Sequence, residues 1–134
     1  MAVSQHDLHL PHLDNPAALA KPGGHYSHVA IANGFVFVSG QLPINPQGEK
    51  LADASFEIQA EQVLANLQAA LEGAGSSMAQ LVQVRVYIVD VENWASFNQI
   101  YARWAGDVRP ARAVVPVPHL HYGLKIEIEA TALV

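Results

Sequence analysis

The sequence predicts a single α+β domain, one mixed sheet with two helices packed on the same face. Three observations carry this. Segments of period 2 and of period 3.6 follow one another as strand, strand, helix, strand, helix, strand, strand. The 134 residues, 51% hydrophobic and 14% charged, suffice for one core and not for two. Cysteine is absent, so the fold must stand on burial alone, and a disulfide framework, Cys-ligated zinc, iron-sulfur clusters and thiol nucleophiles are excluded.

Residues 1–21 read as an N-terminal arm before a domain spanning 22–134. The arm mixes His6, His9 and His12 with Pro11 and Pro16 and keeps neither period; it is either disordered or laid across a partner subunit. Lys21-Pro22-Gly23-Gly24 punctuates its end. Val29–Ala32 and Phe35–Ser39, joined by Asn33-Gly34, form a hairpin, because Asn and Gly tolerate the positive φ of a type I′ turn. Pro43, Pro46 and Gly48 then enforce a loop. From Ser55 to Gly73 the apolar residues Phe56, Ala60, Val63, Leu64, Leu67, Ala70 and Leu71 make one helical face, with Asp53 or Ser55 as cap and Gly73 and Gly75 as the stop.

Leu81–Val89 alternates, with Val82, Val84, Val86 and Ile88 expected toward the core. A second helix from about Glu92 to Ala105 buries an edge of Trp94, Phe97, Tyr101 and Trp104, and Gly106 closes it. Ala111–Val117 and Leu124–Leu133 complete the strands. One sheet face is left without helices, so self-association is expected to cover it.

Seven Lys and Arg against twelve Asp and Glu give a formal charge of −5. With Arg85, Arg103, Arg109 and Arg112 dispersed, a nucleic-acid partner is not expected. No apolar run reaches the roughly 20 residues a bilayer requires and no signal pattern opens the chain, so a cytoplasmic location without membrane contact is expected.

The chemistry-bearing candidates are few. An antiparallel hairpin of the last two strands, turning near His119 and Leu120, would set Arg112 opposite Glu127. A plain cross-strand ion pair is one reading. The other is a substrate site, in which the planar guanidinium grips a carboxylate and the Glu exchanges protons with water or nitrogen. Ser39, where a strand runs into a loop, suits a local hydrogen bond better than a nucleophile, because no Ser-His-Asp arrangement accompanies it. Tyr26 either caps a pocket or packs. Asn98 shares a helix face with Trp94 and Tyr101, where it either bonds backbone or lines a site. His119-x-His121 beside Glu127 and Glu129 reads as a solvated turn, and no metal is assigned.

Tyr26-Ser27, Phe37-Val38-Ser39-Gly40-Gln41-Leu42-Pro43, Pro110-Ala111-Arg112 and Lys125-Ile126-Glu127-Ile128-Glu129-Ala130 together resemble the signature segments of the RidA family, also called YjgF, in order and spacing from about Lys21 to Val134. The resemblance implies a chorismate-mutase-like α+β fold assembled as a homotrimer, with pockets at the subunit junctions. It also implies an enamine/imine deaminase that needs no cofactor, hydrolysing 2-aminoacrylate-type imino acids to 2-oxo acids and ammonium. By position, Arg112 would clamp the substrate carboxylate and Glu127 would orient water or the nitrogen, while Tyr26, Ser39 and Asn98 would line the pocket. Val114 stands where many members carry cysteine, so only its backbone is expected to reach a substrate. His25 and His28 and the run Pro116, Pro118, His119 and His121 also depart from the family pattern and bear on substrate choice. The competing expectation is a non-catalytic trimeric module whose Arg112 pockets bind small carboxylate metabolites. A ribonuclease activity, also attached to this family, draws little support from the charge.

Overall fold

The computed structural model describes residues 9–134; His6, named above, lies outside them. Six strands form one sheet: β1 (His12–Asp14), β2 (Val29–Ala32), β3 (Phe35–Gln41), β4 (Leu81–Val89), β5 (Ala111–Val117) and β6 (Ile126–Leu133), in the spatial order β1-β2-β3-β6-β4-β5. Two helices, α1 (Phe56–Gly73) and α2 (Trp94–Ala105), lie on one face. This is the mixed-sheet α+β architecture that the sequence predicts.

The expected local devices are present. Asn33 and Gly34 take φ 52° and 81° and turn β2 into β3. The Ser55 hydroxyl accepts from the Ile58 N–H to cap α1. The core is the layer between helices and sheet, where Val63, Leu64, Leu67, Leu71 and Phe97 meet Val36, Val84, Val86, Ile88, Ile126 and Ile128. Val82 departs from the expected valine row and stands exposed. A bulge between Leu81 and Gln83 resets the alternation, so Leu81 takes the buried side. Trp94 is likewise exposed, and Ile100 takes its share of the buried edge of α2.

The arm is structured in part. Residues 12–14 pair with β2 as an edge strand, Leu19 enters the core, and Pro16 lies so close to Gly73 that a side chain there would collide with its ring. His28 ties the segment down: its Nε2 lies 2.7 Å from the Ala20 carbonyl and its Nδ1 accepts from the Gln41 amide at 3.1 Å.

One expectation is corrected. β5 and β6 do not form a hairpin, because β4 lies between them, parallel to β5 and antiparallel to β6. The unit β4-α2-β5 explains this: a helix between two strands of one sheet is a crossover, and it sets the second strand parallel beside the first. Pro116 agrees, since a residue without an N–H suits an edge strand. Arg112 therefore registers with Val84, which is fully buried under the helices, while Glu127 registers with Tyr87 on the opposite face.

Among the described residues, no helix covers that opposite face. It exposes Phe35, Phe37, Val115 and Leu133, with Phe35 paired to Leu133 across β3 and β6.

Candidate functional site

Two buried amides of α1 hold the loops around β3 and β6. Asn66 donates to the carbonyls of Leu42 (3.0 Å) and Ile44 (2.9 Å) and so fixes the chain just after β3. Gln59 donates to the Ala54 carbonyl and accepts from the Lys125 N–H at 2.9 Å, two residues before Glu127. Such hydrogen-bonded amides lock loop positions that sequence propensity leaves free.

On the open face these loops frame a cleft of about 500 Å³. Tyr26, Ser39 and Glu127 line it with Gly40, His121 and Tyr122. β3 is irregular between Val38 and Gln41, and within that irregularity Gly40 lets the Glu127 carboxylate rest against the backbone; a Cβ at Gly40 would overlap Oε2 and stand 3.0 Å from Cδ. Burial pushes the Glu127 carboxyl above its ordinary range, with His121 opposing the shift and Glu129 adding to it. Glu129 itself accepts from the Tyr87 hydroxyl at 2.9 Å and pairs with Arg85 at 3.6 Å. The Ser39 hydroxyl donates to the Ser27 carbonyl at 2.6 Å and its N–H to the His28 carbonyl. It is spent on holding two segments together, as a strand-end serine commonly is.

Arg112 and Asn98 line a different cleft, of about 360 Å³, beside α2. The Arg112 Nη2 donates to Asn98 Oδ1 at 3.0 Å, and its guanidinium lies over the Tyr101 ring at 4.8 Å and 5.9 Å from that of Phe97. An amide oxygen and two ring faces orient the cation without neutralising it. The Tyr101 hydroxyl is buried here and finds no hydrogen-bond partner among the described residues, and burial raises its pKa against the pull of Arg112. Val114, two residues on, registers with Val86 and packs against the core.

Within one chain the six residues named from the sequence thus fall into two groups, with Tyr26, Ser39 and Glu127 apart from Asn98, Arg112 and Val114. Arg112 does not face Glu127. Gly40 and Tyr122 were not singled out by sequence reasoning. A glycine inside a strand pattern, which marks a bulge or a close approach, is the signal for the first. Nothing in the sequence announces the second.

Comparison with known proteins gives concordant matches. Residues 16–134 match the family model described as Endoribonuclease L-PSP. A RutC family protein of Pyrococcus horikoshii is 40% identical over 112 residues, covering 84% of this chain and 89% of that protein. The crystal structure of RidA from the Antarctic bacterium Psychrobacter superposes with a TM-score of 0.87 at 31% identity, covering 92% and 99% of the two chains. That of E. coli TdcF with bound serine gives 0.86 at 30% identity, covering 92% and 98%.

Proposed function

The chain belongs to the Endoribonuclease L-PSP family, the family of the Rid proteins, and from that premise we propose that it is an enamine/imine deaminase whose site is completed between subunits of a homotrimer. The observation that carries the proposal is the division of the two charged groups: a cation held unneutralised by Asn98 on one face, and a desolvated carboxylate in an open cleft on the other. Each half has what the other lacks, and the uncovered apolar face around Phe37 and Leu133 supplies a reason for copies to meet.

In the completed site Arg112 of one copy grips the carboxylate of a 2-imino acid with its planar fork. Glu127 of the next copy, with its proton affinity raised, takes a proton from water as the oxygen adds to the C=N carbon. It delivers that proton to nitrogen to give the carbinolamine, then takes the new hydroxyl proton and passes it to the amine, so that the C–N bond breaks, ammonia leaves and the carbonyl of the 2-oxo acid forms. An imine is already electrophilic, so positioning and one proton carrier suffice. Tyr26 walls the cleft, Ser39 fixes its floor, and the backbone at Val114 borders the carboxylate end. TdcF crystallised with serine, and a ligand joining a carboxylate to a nitrogen suits this division of labour. The charge of −5 and the dispersed arginines disfavour RNA as the substrate.

Subunit mixing tests the proposal. Arg112→Ala and Glu127→Gln should each be inactive toward imino acids generated by an amino-acid oxidase. Unfolded and refolded together, every mixed trimer has one junction with both groups intact, so an equimolar mixture should regain about a quarter of wild-type activity. No recovery would refute a site shared between subunits. Wild-type protein that speeds no imine but binds 2-oxo acids would point to the carboxylate-binding module instead.

A further inference from the structure

The Glu127 cleft is larger and more aromatic than the smallest imino acid requires. Even before a second copy covers it, the open cleft of about 500 Å³ offers room well beyond the imine derived from alanine, which has only a handful of heavy atoms. Tyr26, His121 and Tyr122 line it with Leu42 and Ile44. The hydrolysis proposed above uses neither His121 nor Tyr122.

Tyr122 is held in place at a cost. It adopts φ 63°, ψ 16°, a left-handed conformation that a tyrosine rarely takes, and such outliers persist only where surrounding structure over-determines them. Here Gly123 follows at φ 70° and the Leu124 N–H closes the turn onto the His121 carbonyl at 3.1 Å. Lys50 places its Nζ 4.6 Å from the centre of the Tyr122 ring. At the far side the hydroxyl reaches Gly23, where a Cβ would stand 3.6 Å from it. The ring therefore bridges from the Lys50 loop to the Gly23 segment and borders the cleft with about half its surface open. The charges at the site point the same way. Glu129 lines the cleft as a carboxylate already engaged by Tyr87 and Arg85, so a second anionic group on a substrate would meet repulsion there.

We propose that Tyr122, with His121 and Tyr26, forms an aromatic wall that selects 2-imino acids bearing a neutral aromatic side chain over the imine of alanine. This rests on the deaminase reading only in taking a 2-imino acid as the ligand. Flat rings stacked or set edge-on against Tyr122 gain specific contact that a methyl group cannot make.

The test pairs binding with turnover in wild type, Tyr122→Gly, which suits the left-handed backbone, and Tyr122→Phe. By calorimetry, phenylpyruvate should bind wild type about tenfold more tightly than pyruvate. Tyr122→Gly should erase that preference and Tyr122→Phe keep it. In turnover, kcat/KM for the imines of phenylalanine and alanine should differ by the same ratio and respond alike. Preferential phenylpyruvate binding lost in Tyr122→Gly, with no imine hydrolysed, would uphold the wall and overturn the deaminase. Hydrolysis with equal kcat/KM for both imines would overturn the wall and leave the deaminase standing. Equal affinity for the two oxo acids, or a preference that survives Tyr122→Gly, would overturn the wall.

Discussion

Gly40→Ala should separate activity from stability. The new methyl would overlap Glu127 Oε2, and Cδ, 3.0 Å from the Cβ position, has to retreat by roughly 0.5–1 Å to reach an ordinary carbon contact of about 3.5–4.0 Å. The carboxylate is the far end of a flexible side chain facing an open cleft, so it can swing away and the sheet need not move. Gly40 is not at positive φ, and alanine there is expected to change stability by no more than about 1 kcal/mol, with the unfolded chain's lost freedom in its favour. A displacement of that size in a proton carrier costs on the order of 10²-fold in rate. The assay is release of 2-oxo acid from an oxidase-generated imine, run beside thermal unfolding and sedimentation. In a Glu127→Gln background the same substitution should cost almost nothing further, because it acts through that carboxylate. A folded, assembled Gly40→Ala protein with wild-type kcat/KM would refute the placement of Glu127 in catalysis.

Four further outcomes are expected. Asn98→Ala frees the Arg112 guanidinium from its 3.0 Å anchor; a hydrogen bond to a charged group is worth about 1.5–3 kcal/mol, and steady-state kinetics should show KM raised tenfold or more with kcat less affected. Glu127→Gln should lower kcat by about 10²–10⁴ while raising the melting temperature at neutral pH. The folded pKa of Glu127 is raised by burial, so ionisation costs stability as pH climbs through that value; the gain should vanish below about pH 4, where the carboxyl is protonated in both folded and unfolded chains. The acid limb of the wild-type activity profile should lie above the ordinary carboxylate range for the same reason. Phe37→Glu sets a charge on the open apolar face, and sedimentation should then return a single chain of 14.4 kDa with unchanged far-ultraviolet dichroism.

Local physics was legible in the sequence where one element decides its own form. Asn33-Gly34, the Ser55 cap and the apolar stripe of α1 each specify their conformation from neighbours in the chain, and the structure follows them. Pairing between distant strands is less so. Two successive strands invite a hairpin, and only the crossover through α2 together with Pro116 argues that β5 lies parallel beside β4 at the edge. That single topological choice moved Arg112 to the other face from Glu127. The paired amides of Gln59 and Asn66 show the same limit, since their partners at Lys125, Leu42 and Ile44 lie far away in sequence. So does the bulge at Leu81–Gln83, where one residue shifts the alternation that a period-2 pattern assumes.

The separation of the two charges has a chemical consequence. Had β5 and β6 formed a hairpin with Arg112 and Glu127 facing each other, the guanidinium and the carboxylate would have closed into an ion pair, as Arg85 and Glu129 do on the open face. A substrate carboxylate would then have had to displace a partner already in place, and the proton affinity of the Glu would have fallen beside the cation. Instead Arg112 is oriented by a neutral amide and by ring faces, and Glu127 is pushed toward its protonated form by burial. Both remain chemically available. If copies assemble so that the two clefts meet, the ligand itself becomes the bridge, with its carboxylate on the cation and its C=N carbon toward the carboxyl. Binding then joins two groups that the fold of a single chain keeps from quenching each other.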